Sequence, residues 1–470
     1  MPRSMPRGAV ARTLDERYLE FHAKSGAAFA QYPQVEPLRL FLFRRLLVHR
    51  RPDGLTDHVK RWLRPFLKRA HTRLADRPAD VLIWVESQRE VISEALLPVY
   101  HELVARGVET ELVSFYGPRD LPVAARVFEF PARARAPQWA REAWEAMCSC
   151  EVRLRARALE HSFYHACAML QGLYDQLQQL LDSISPKVVV CAATQPAGGA
   201  ALMVVARQRG IQSLLLQHGM AGPDFTPLLA DAMLMWGPSS EDVMVSYGLP
   251  RARLLAVGSP RHDSMRPSST GQARAALLRT LDRPERPTFV FFSGGHDPER
   301  IGAAAVECAG WLERLAAHYG DALNVVVRLH PNEDGALYRG CRHLAVMSRT
   351  VDLRTTLEGC DWIGSVCSTV LYDALLFGKP TWQFHADHWP VLADNWKTGL
   401  AVRVSSERRF SEMVRDVLST GPAGRVDEAL VARVFANHGH ATRAVADVVE
   451  SRLGTERRLA EQQTACDRSW

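Results

Sequence analysis

The amino-acid sequence predicts an α/β protein in which two Rossmann-like domains follow one another along the chain. Short apolar runs alternate with helical stretches from residue 80 onward, which is typical of parallel βα units. The alternation restarts near residue 288, after a segment rich in Arg, Pro and Ser. A chain of 470 residues has room for two or three domains, so two such halves fit its length.

Composition excludes several classes of protein and of partner. Hydrophobic residues make up 47% of the chain and charged residues 23%, which excludes a mostly disordered, collagenous or coiled-coil protein. The net charge of +6 is mild for this length and predicts no nucleic-acid partner. Nine scattered cysteines without a C-x-x-C pair argue against structural zinc and disulfides. With no signal-like apolar block near the first residue, we expect a cytoplasmic location.

Residues 1–79 form a basic N-terminal extension. Cationic and apolar residues interleave over 36–79, a pattern typical of amphipathic helices. Such helices either pack on a domain with their charged face in solvent or lie on an anionic membrane surface. The second interpretation predicts that 36–79 docks on the inner leaflet of a membrane, and the sequence leaves both open.

The first half, residues 80–264, is predicted to form a parallel sheet. Its apolar runs, such as VLIWV and VVVC, are typical of strands buried on both faces. The predicted strands span 81–87, 108–115, 187–194, 213–219, 231–237 and 254–260, and a helix-rich insertion occupies about 138–182.

The second half, residues 288–452, repeats this pattern after a linker at 265–287. Its predicted strands span 288–295, 324–331, 343–348, 361–365 and 380–384, with helices at about 299–319 and 367–378. The polar tail at 453–470 is expected to fray.

Ligands of doubly wound sheets bind at the carboxyl ends of strands, so the strand ends of the second half are candidate sites. Ser293, Gly294 and Gly295 follow its first strand. Paired glycines let a backbone approach a phosphate closely, although a plain tight turn explains them equally well. His330 follows the next strand, where an imidazole either contacts a phosphate, donates a proton, or only packs.

Hydroxyls cluster after the fourth predicted strand of the second half. Ser365, Ser368 and Thr369 lie at a strand-to-helix junction, where hydroxyls and unpaired amides can hold a diphosphate. Asp373 lies one helical turn beyond Thr369, in a position to take ribose hydroxyls. An ordinary Ser/Thr cap with an incidental Asp is the alternative. Arg328 supplies a nearby cation for the charge on a leaving nucleotide.

The first half contains two candidate bases. His218 ends the strand of LLLQHG and can deprotonate an acceptor hydroxyl. Glu86 ends the first strand and can do the same. The alternatives are a core or capping histidine and a solvated turn glutamate.

Several familiar catalytic motifs are missing from the sequence. No two aspartates are separated by one residue, so the D-x-D metal clamp is absent. The chain also has no P-loop, G-x-S-x-G, H-E-x-x-H or G-x-G-x-x-G motif. We therefore predict neither a metal nor a bound cofactor, and expect helix N-termini and side chains to stabilise the charge of a leaving nucleotide.

Taken in order, four motifs resemble those of known envelope-polysaccharide transferases. QHG, GSPRHD (258–263), RLHP, and S-x-x-S-T-x-x-x-D followed by GKP resemble the CDP-glycerol glycerophosphotransferases of teichoic-acid synthesis. They are also similar to bacterial capsule-polysaccharide and polysialic-acid transferases. The resemblance covers roughly 185–385 and implies the GT-B architecture of two tandem Rossmann-like domains.

The resemblance also implies roles for individual residues. His218 corresponds to the catalytic histidine of the first domain and His330 to the histidine that contacts the donor phosphates. Ser368 and Thr369 match the hydroxyl cluster on the donor, with Asp373 at the ribose.

Two departures from the family pattern concern an adjacent serine and an acidic motif. Cys367 replaces the first of two adjacent serines, and the acidic base motif of polysialyltransferases is not visible in the first half. Glu333, Asp334 and Gly335 spell a similar motif directly after the His-Pro pair, which is a different place.

These observations predict a transferase that moves a sugar, or a polyol phosphate, from a nucleotide-activated donor. The donor would be CMP-, CDP- or UDP-linked, and the acceptor a surface polysaccharide or lipid-linked glycan. Two alternatives remain open. One is a non-hydrolysing nucleotide-sugar 2-epimerase, which shares this architecture, and the other is a non-catalytic subunit of a polysaccharide assembly complex.

Overall fold

Two compact units make up the protein. A computed structural model describes residues 14–47, 78–86, 90–114, 126–127, 135–151, 154, 157–195, 197–268, 271–294, 302–330, 333–347, 351–389, 394–421 and 427–467. The proximal unit comprises Arg17–Asp263 and Phe435–Trp470, and the distal unit is built on Ser264–Val434. Each unit has its own parallel sheet, which confirms the predicted fold class.

The proximal sheet has seven described parallel strands in the order β3-β2-β1-β4-β5-β6-β7. This is the doubly wound order, in which the chain reverses direction between β1 and β4. The strands are β1 (Val81–Val85), β2 (Thr110–Ser114), β3 (Arg126–Val127), β4 (Val188–Cys191), β5 (Gln212–Leu216), β6 (Ala232–Met235) and β7 (Leu254–Ala256).

Helices cover both faces of the proximal sheet. They are α1 (Leu14–Gln31), α2 (Arg39–Leu47), α3 (Glu90–Ala105), α4 (Trp139–Cys150), α5 (Arg157–Ile184), α6 (Ala197–Gln208) and α7 (Pro238–Ser246), with α14 (Ala441–Asp467) from the end of the chain. On one face, Leu96 and Val99 of α3 pack with Val445 and Val449 of α14 over β1 and β4.

The last helix corrects two of the predicted boundaries. Residues 435–452 were assigned to the C-terminal domain but belong to the proximal unit. The structure also describes α14 as far as Asp467, across the boundary predicted at residue 453 for a polar tail. The reason is non-local: apolar residues at helical spacing, Val445, Val449 and Leu453, are buried in the core of a sheet formed by much earlier residues.

The GSPRHD segment holds the start of α14. Gly258 has φ +99°, and a Cβ there would lie 2.1 Å from the carbonyl oxygen of Ala436 and 2.6 Å from Cβ of Ala441. Asp263 caps the helix, because its carboxylate accepts the N–H groups of Ala441 (2.9 Å) and Thr442 (2.8 Å). This stretch of the resembling motifs therefore has a structural task inside the proximal unit.

The N-terminal extension packs on the proximal unit where it is described. The 3-10 helix Pro33–Leu38 contacts α6, and Leu38, Leu42 and Phe43 are buried. Arg39 is only 4% exposed and forms a bidentate ion pair with Glu36 at 2.6 and 2.8 Å. From residue 36 to 43 the apolar face is therefore covered by protein, which favours the packing interpretation for this part. Residues 48–77 of the predicted membrane segment lie outside the described residues.

The distal sheet has six described parallel strands in the order β10-β9-β8-β11-β12-β13, with the reversal between β8 and β11. They are β8 (Thr288–Phe292), β9 (Asn324–Arg328), β10 (Ala345–Met347), β11 (Trp362–Ser365), β12 (Thr381–Phe384) and β13 (Val402–Val404). The helices are α8 (Gln272–Leu281), α9 (Gly302–Tyr319), α10 (Leu353–Gly359), α11 (Val370–Leu376), α12 (Glu407–Thr420) and α13 (Glu428–Val434).

The two faces of the distal sheet differ in character. Phe289, Trp382 and Phe384 point to one face, where they pack with Trp311 of α9 and Phe410 of α12. The opposite face is covered by the short helices, and α8, which lies within the predicted linker 265–287, packs on α10. The linker is therefore part of the distal unit.

Candidate functional site

Ser293, His330 and Ser365, three of the residues predicted for the donor, lie at or next to the reversal point of the distal sheet. Phe292, the last residue of β8, is in register with Ser365 of β11 on one side and Arg328 of β9 on the other. Ser293 and His330 follow directly at the same carboxyl edge. In open α/β sheets ligands bind at such a point, so the strand ends lie where the sequence predicts.

A hydrogen-bond chain joins the loops after β8 and β9. The backbone N–H of His330 donates to Oγ of Ser293 at 2.7 Å, and that hydroxyl contacts Oε2 of Glu333. The amide of Ser293 donates to the carbonyl of Arg328 at 3.0 Å. Ser293 is buried and Gly294 and His330 are half-buried, while Gly295 lies outside the described residues. Ser293 thus contacts the His330 loop through its side chain.

The hydroxyl cluster after β11 divides by exposure. Ser368 and Thr369 are half-buried ahead of α11, and Oγ of Ser368 accepts the N–H of Val370 at 3.3 Å. Ser365 is fully buried, and its Oγ has no hydrogen-bond partner among the described residues. Asp373 is only 1% exposed on α11, so solvent does not reach the carboxylate predicted for the ribose.

Arg328 is the last residue of β9, and its side chain bonds within the distal unit. Its Nη1 donates to the carbonyl of Val351 at 2.6 Å and to Oγ1 of Thr356 at 2.7 Å. Burial lowers the pKa of this guanidinium. The side chain therefore holds α10 and the preceding loop against β9, and its Nη1 is used in packing rather than offered to a leaving nucleotide.

Two further polar residues, Gln383 and His385, lie at the end of β12 and are not among the residues predicted for the donor. Gln383 is in register with Ser365 and donates to the carbonyl of Val366 at 3.0 Å. His385 is 7% exposed, and its Nδ1 lies 3.0 Å from Nη2 of Arg403. Burial lowers the pKa of His385, and the positive charge of Arg403 lowers it further. Because Nδ1 accepts from Arg403, its proton is on Nε2. The alternation W-Q-F-H was the available signal, with polar residues on one face and aromatic ones on the other.

The reversal point of the proximal sheet contains Glu86. This residue follows β1, is 2% exposed, and faces the start of α6. The amides of Gly198 and Gly199 and Nε1 of Trp84 (2.5 Å) donate to its carboxylate. A Cβ at Gly198 would lie 2.5 Å from Glu86 Oε2, and one at Gly199 would lie 2.0 Å from the carbonyl oxygen of Ala193. Gly198 therefore leaves space for the Glu86 carboxylate at the start of α6, and Gly199 leaves space for the backbone of Ala193.

Burial governs the protonation of Glu86. Removal of the carboxylate from water raises its pKa to about 8, against the opposing effect of its three donors. A buried group of this kind anchors a helix, and the structure places it away from solvent. Glu86 is therefore not a solvated turn residue, which was one of the alternatives for it in the sequence.

His218 lies at the same edge of the proximal sheet, after β5. Its Nδ1 contacts the carbonyl oxygen of Ala192, and its ring packs edge-on against Phe225 at 5.8 Å. A carbonyl can only accept, so Nδ1 carries the proton and Nε2 is the basic nitrogen. The neighbouring Gln217 is buried and bonds to the backbone of Trp236 at 2.8 Å.

The predicted residues thus fall into two groups. Ser293 and His330 are linked directly, with Ser365 on the adjacent strand, at the distal edge. At the proximal edge, Glu86 bonds to the first turn of α6 and His218 bonds to the segment between β4 and α6. Across the described ranges, none of the helices combines the length and the apolar character that crossing a bilayer requires.

Solved structures of other proteins share this architecture. The co-structure of S. aureus MnaA with UDP has a TM-score of 0.53 at 14% identity, over 80% of this chain and 96% of that one. UDP-GlcNAc 2-epimerase from Methanocaldococcus jannaschii has a TM-score of 0.51 at 11% identity, over 79% and 99%. The wall teichoic acid polymerase TagF, soaked with CDPG, has a TM-score of 0.50 at 13% identity, over 90% and 99%.

These similarities confirm the predicted GT-B-type fold. At such identities they establish the fold alone. No protein-family model matches the chain, and no curated protein sequence matches it.

Proposed function

We propose that this protein is a transferase that takes a nucleotide-activated donor at the distal unit and uses His218 of the proximal unit as the base. The observation that supports the proposal is the hydrogen bond between His330 and Ser293 at the reversal point of the distal sheet, where the neighbouring strand β11 leads to Ser368. Structures of proteins with the same fold have been solved with UDP and with CDPG, which supports a nucleoside diphosphate or its ester as the ligand class.

The tautomer of His218 supports its role as the base. With its proton on Nδ1, directed at the carbonyl of Ala192, the imidazole has its lone pair on Nε2. Such a nitrogen accepts a proton from an attacking hydroxyl, and the backbone contact fixes the ring orientation. Glu86 does not compete for this role, because its carboxyl group is buried under α6.

The proposed reaction is the transfer of a sugar or a polyol phosphate to a surface polysaccharide or lipid-linked glycan. His330, Ser368 and Thr369 would contact the donor phosphates. We propose no metal or bound cofactor for the step. Epimerisation of a nucleotide sugar is the alternative reaction, since two proteins of the same fold are described as UDP-GlcNAc 2-epimerases.

Nucleotide binding is the first test. Thermal unfolding with CMP, CDP, UDP and GDP should show stabilisation by one of the diphosphates, about 2.7 kcal/mol at 100 times its dissociation constant. His330→Ala should reduce the shift, whereas His343→Ala, at an exposed histidine of the same unit, should leave it unchanged. A wild-type protein that responds to none of the four nucleotides contradicts the proposal.

The fate of the donor separates transfer from epimerisation. His218→Ala should abolish group transfer while nucleotide affinity stays as in the wild type, because the residue acts on the acceptor hydroxyl. His101→Ala, at an exposed histidine of the proximal unit, is the control. Formation of an epimer from a nucleotide sugar without any acceptor would establish the alternative instead.

A further inference from the structure

Glu333 belongs to the Glu-Asp-Gly segment 333–335, which follows the His-Pro pair. The sequence offers no role for this segment. In the structure its carboxylate lies at the carboxyl edge of the distal sheet. Its Oε2 contacts the hydroxyl of Ser293, and the N–H of His330 lies 3.3 Å away. Its own N–H donates to the carbonyl of His330 at 2.9 Å. Ser293 and His330, two of the residues predicted for the donor, are thus both bonded to Glu333.

The direction of each hydrogen bond follows from the groups involved. The hydroxyl of Ser293 has one hydrogen, and its oxygen accepts the N–H of His330 at 2.7 Å. That hydrogen has two acceptors in reach, the carboxylate of Glu333 and the carbonyl of Arg328 at 3.2 Å. A carboxylate is the stronger acceptor, so the chain runs from His330 N–H through Ser293 O–H to Glu333. Each hydrogen bond polarises the next, so loss of the carboxylate weakens the bond from the N–H of His330 to the hydroxyl of Ser293.

We propose that Glu333 is a positioning residue of the donor site. It fixes the backbone of His330 and the turn after β8 in the arrangement that receives the donor diphosphate. The inference rests on the proposed function and deepens it. Direct contact with the donor is not its role, because a carboxylate and a donor phosphate are both negatively charged and repel each other. Its effect on the nucleotide passes through Ser293 and His330.

Asp334, the next residue, provides a matched control. Its carboxylate accepts the N–H of Ala336 at 2.9 Å and lies 3.6 Å from Arg339. Its described contacts therefore point along its own loop rather than toward Ser293. Removing this charge tests whether net charge near the site, rather than the Glu333 contacts, determines the result.

The experiment measures hydrogen exchange at the amide of His330 and the affinity for CDP or UDP, whichever stabilises the wild type more. Glu333→Ala should speed the exchange and weaken the affinity, each by about tenfold, the effect of losing one hydrogen bond to a charged group. Glu333→Gln keeps an acceptor oxygen and should retain both values within about threefold, since the amide can still accept from Ser293. Asp334→Ala should behave as the wild type.

A purely structural role predicts a different pattern. Glu333→Ala with wild-type exchange at His330 overturns the proposal, and so does faster exchange with unchanged nucleotide affinity. Equal effects of Glu333→Ala and Asp334→Ala overturn it as well. Should Glu333→Ala fail to fold, Ser293→Ala removes the same link from the other side, and wild-type exchange at His330 in that variant counts against the proposal. Failure of the proposed function gives a different result, because the wild-type protein itself then binds none of the nucleotides.

Discussion

Glu86 and Asp373 are the two carboxylates whose surroundings depart most from what their residue type suggests. Each is at most 2% exposed, although acidic residues are rarely buried. For Glu86, the sequence contained a signal in Gly198 at the start of α6, since only a residue without a side chain leaves space for the carboxylate there. The pairing of the two segments is non-local, so the signal is recognised only once the fold is known.

The raised pKa of Glu86 predicts a pH-dependent stability. With a folded pKa of about 8 and an unfolded value of 4.5, the folded protein retains a proton between these two pH values that the unfolded chain has lost. The free energy of unfolding therefore falls as pH rises through this range. Glu86→Gln, which cannot ionise, should gain on the wild type from pH 5 to pH 8 in urea unfolding.

A surface glutamate separates this effect from a general effect of charge. Glu145→Gln, at an exposed position of α4, should leave the pH dependence of the wild type unchanged. The opposite ordering, in which the wild type gains on Glu86→Gln as pH rises, would mean that the three donors outweigh burial and that the carboxylate is ionised in the folded protein.

The candidate site was predictable from the sequence as far as strand ends could be located. Ser293 and His330 each follow an apolar run, and parallel strands bring their carboxyl ends to one edge. The orientation of Arg328 was not predictable, because it depends on which helix covers that face of β9. Thr356 and Val351, which take its hydrogen bonds, lie more than twenty residues further along the chain.

Among the described strands, β3 and β13 were not predicted, whereas the edge strands β7 and β10 fall within the predicted spans 254–260 and 343–348. β1, β4, β8 and β11 are uniformly buried and appear in the sequence as continuous apolar runs. β13 contains the exposed Val402 and alternates with Arg403, and β3 has two described residues. These two segments have no distinctive apolar pattern in the sequence, so only pairing with their neighbouring strands defines them.

The cap of α14 gives a prediction at the same scale. Asp263→Ala removes the acceptor for two amides at the helix start and should lower the stability of the proximal unit by about 1–2 kcal/mol. Nucleotide affinity should not change, because the GSPRHD segment serves packing. Urea unfolding with and without the bound nucleotide measures both quantities.

An equivalent cap in the distal unit is the control. Asp352 accepts the N–H of Thr355 at 2.9 Å at the start of α10. Asp352→Ala should therefore destabilise the distal unit and spare the proximal one. Loss of nucleotide binding in Asp263→Ala, with stability retained, would instead give this segment a direct role in the site.

At the scale of the whole molecule, the residues that follow the distal sheet do not all belong to the distal unit. The last strand of the distal sheet is β13, and the helices α12 and α13 stay with it, but the following residues return to the proximal unit. The sequence could not reveal this return, because an amphipathic helix fits any exposed apolar face. Only the fit of Val445 and Val449 to Leu96 and Val99 identifies the sheet that it covers.

Removal of residues 435–470 should therefore damage the first half of the sequence. Each large apolar side chain of α14 that leaves the core costs about 1.5–3 kcal/mol, and several together approach the whole stability of a domain. In limited proteolysis, peptides from β1 and β4 should become susceptible while those from β8 and β11 stay protected. A chain ending at Gly454 keeps Leu453, the last described buried residue of α14, and should resist cleavage as the intact protein does. Preferential cleavage of β8 and β11 would mean that α14 stabilises the distal unit. The assignment of 435–452 to the proximal core would then be wrong.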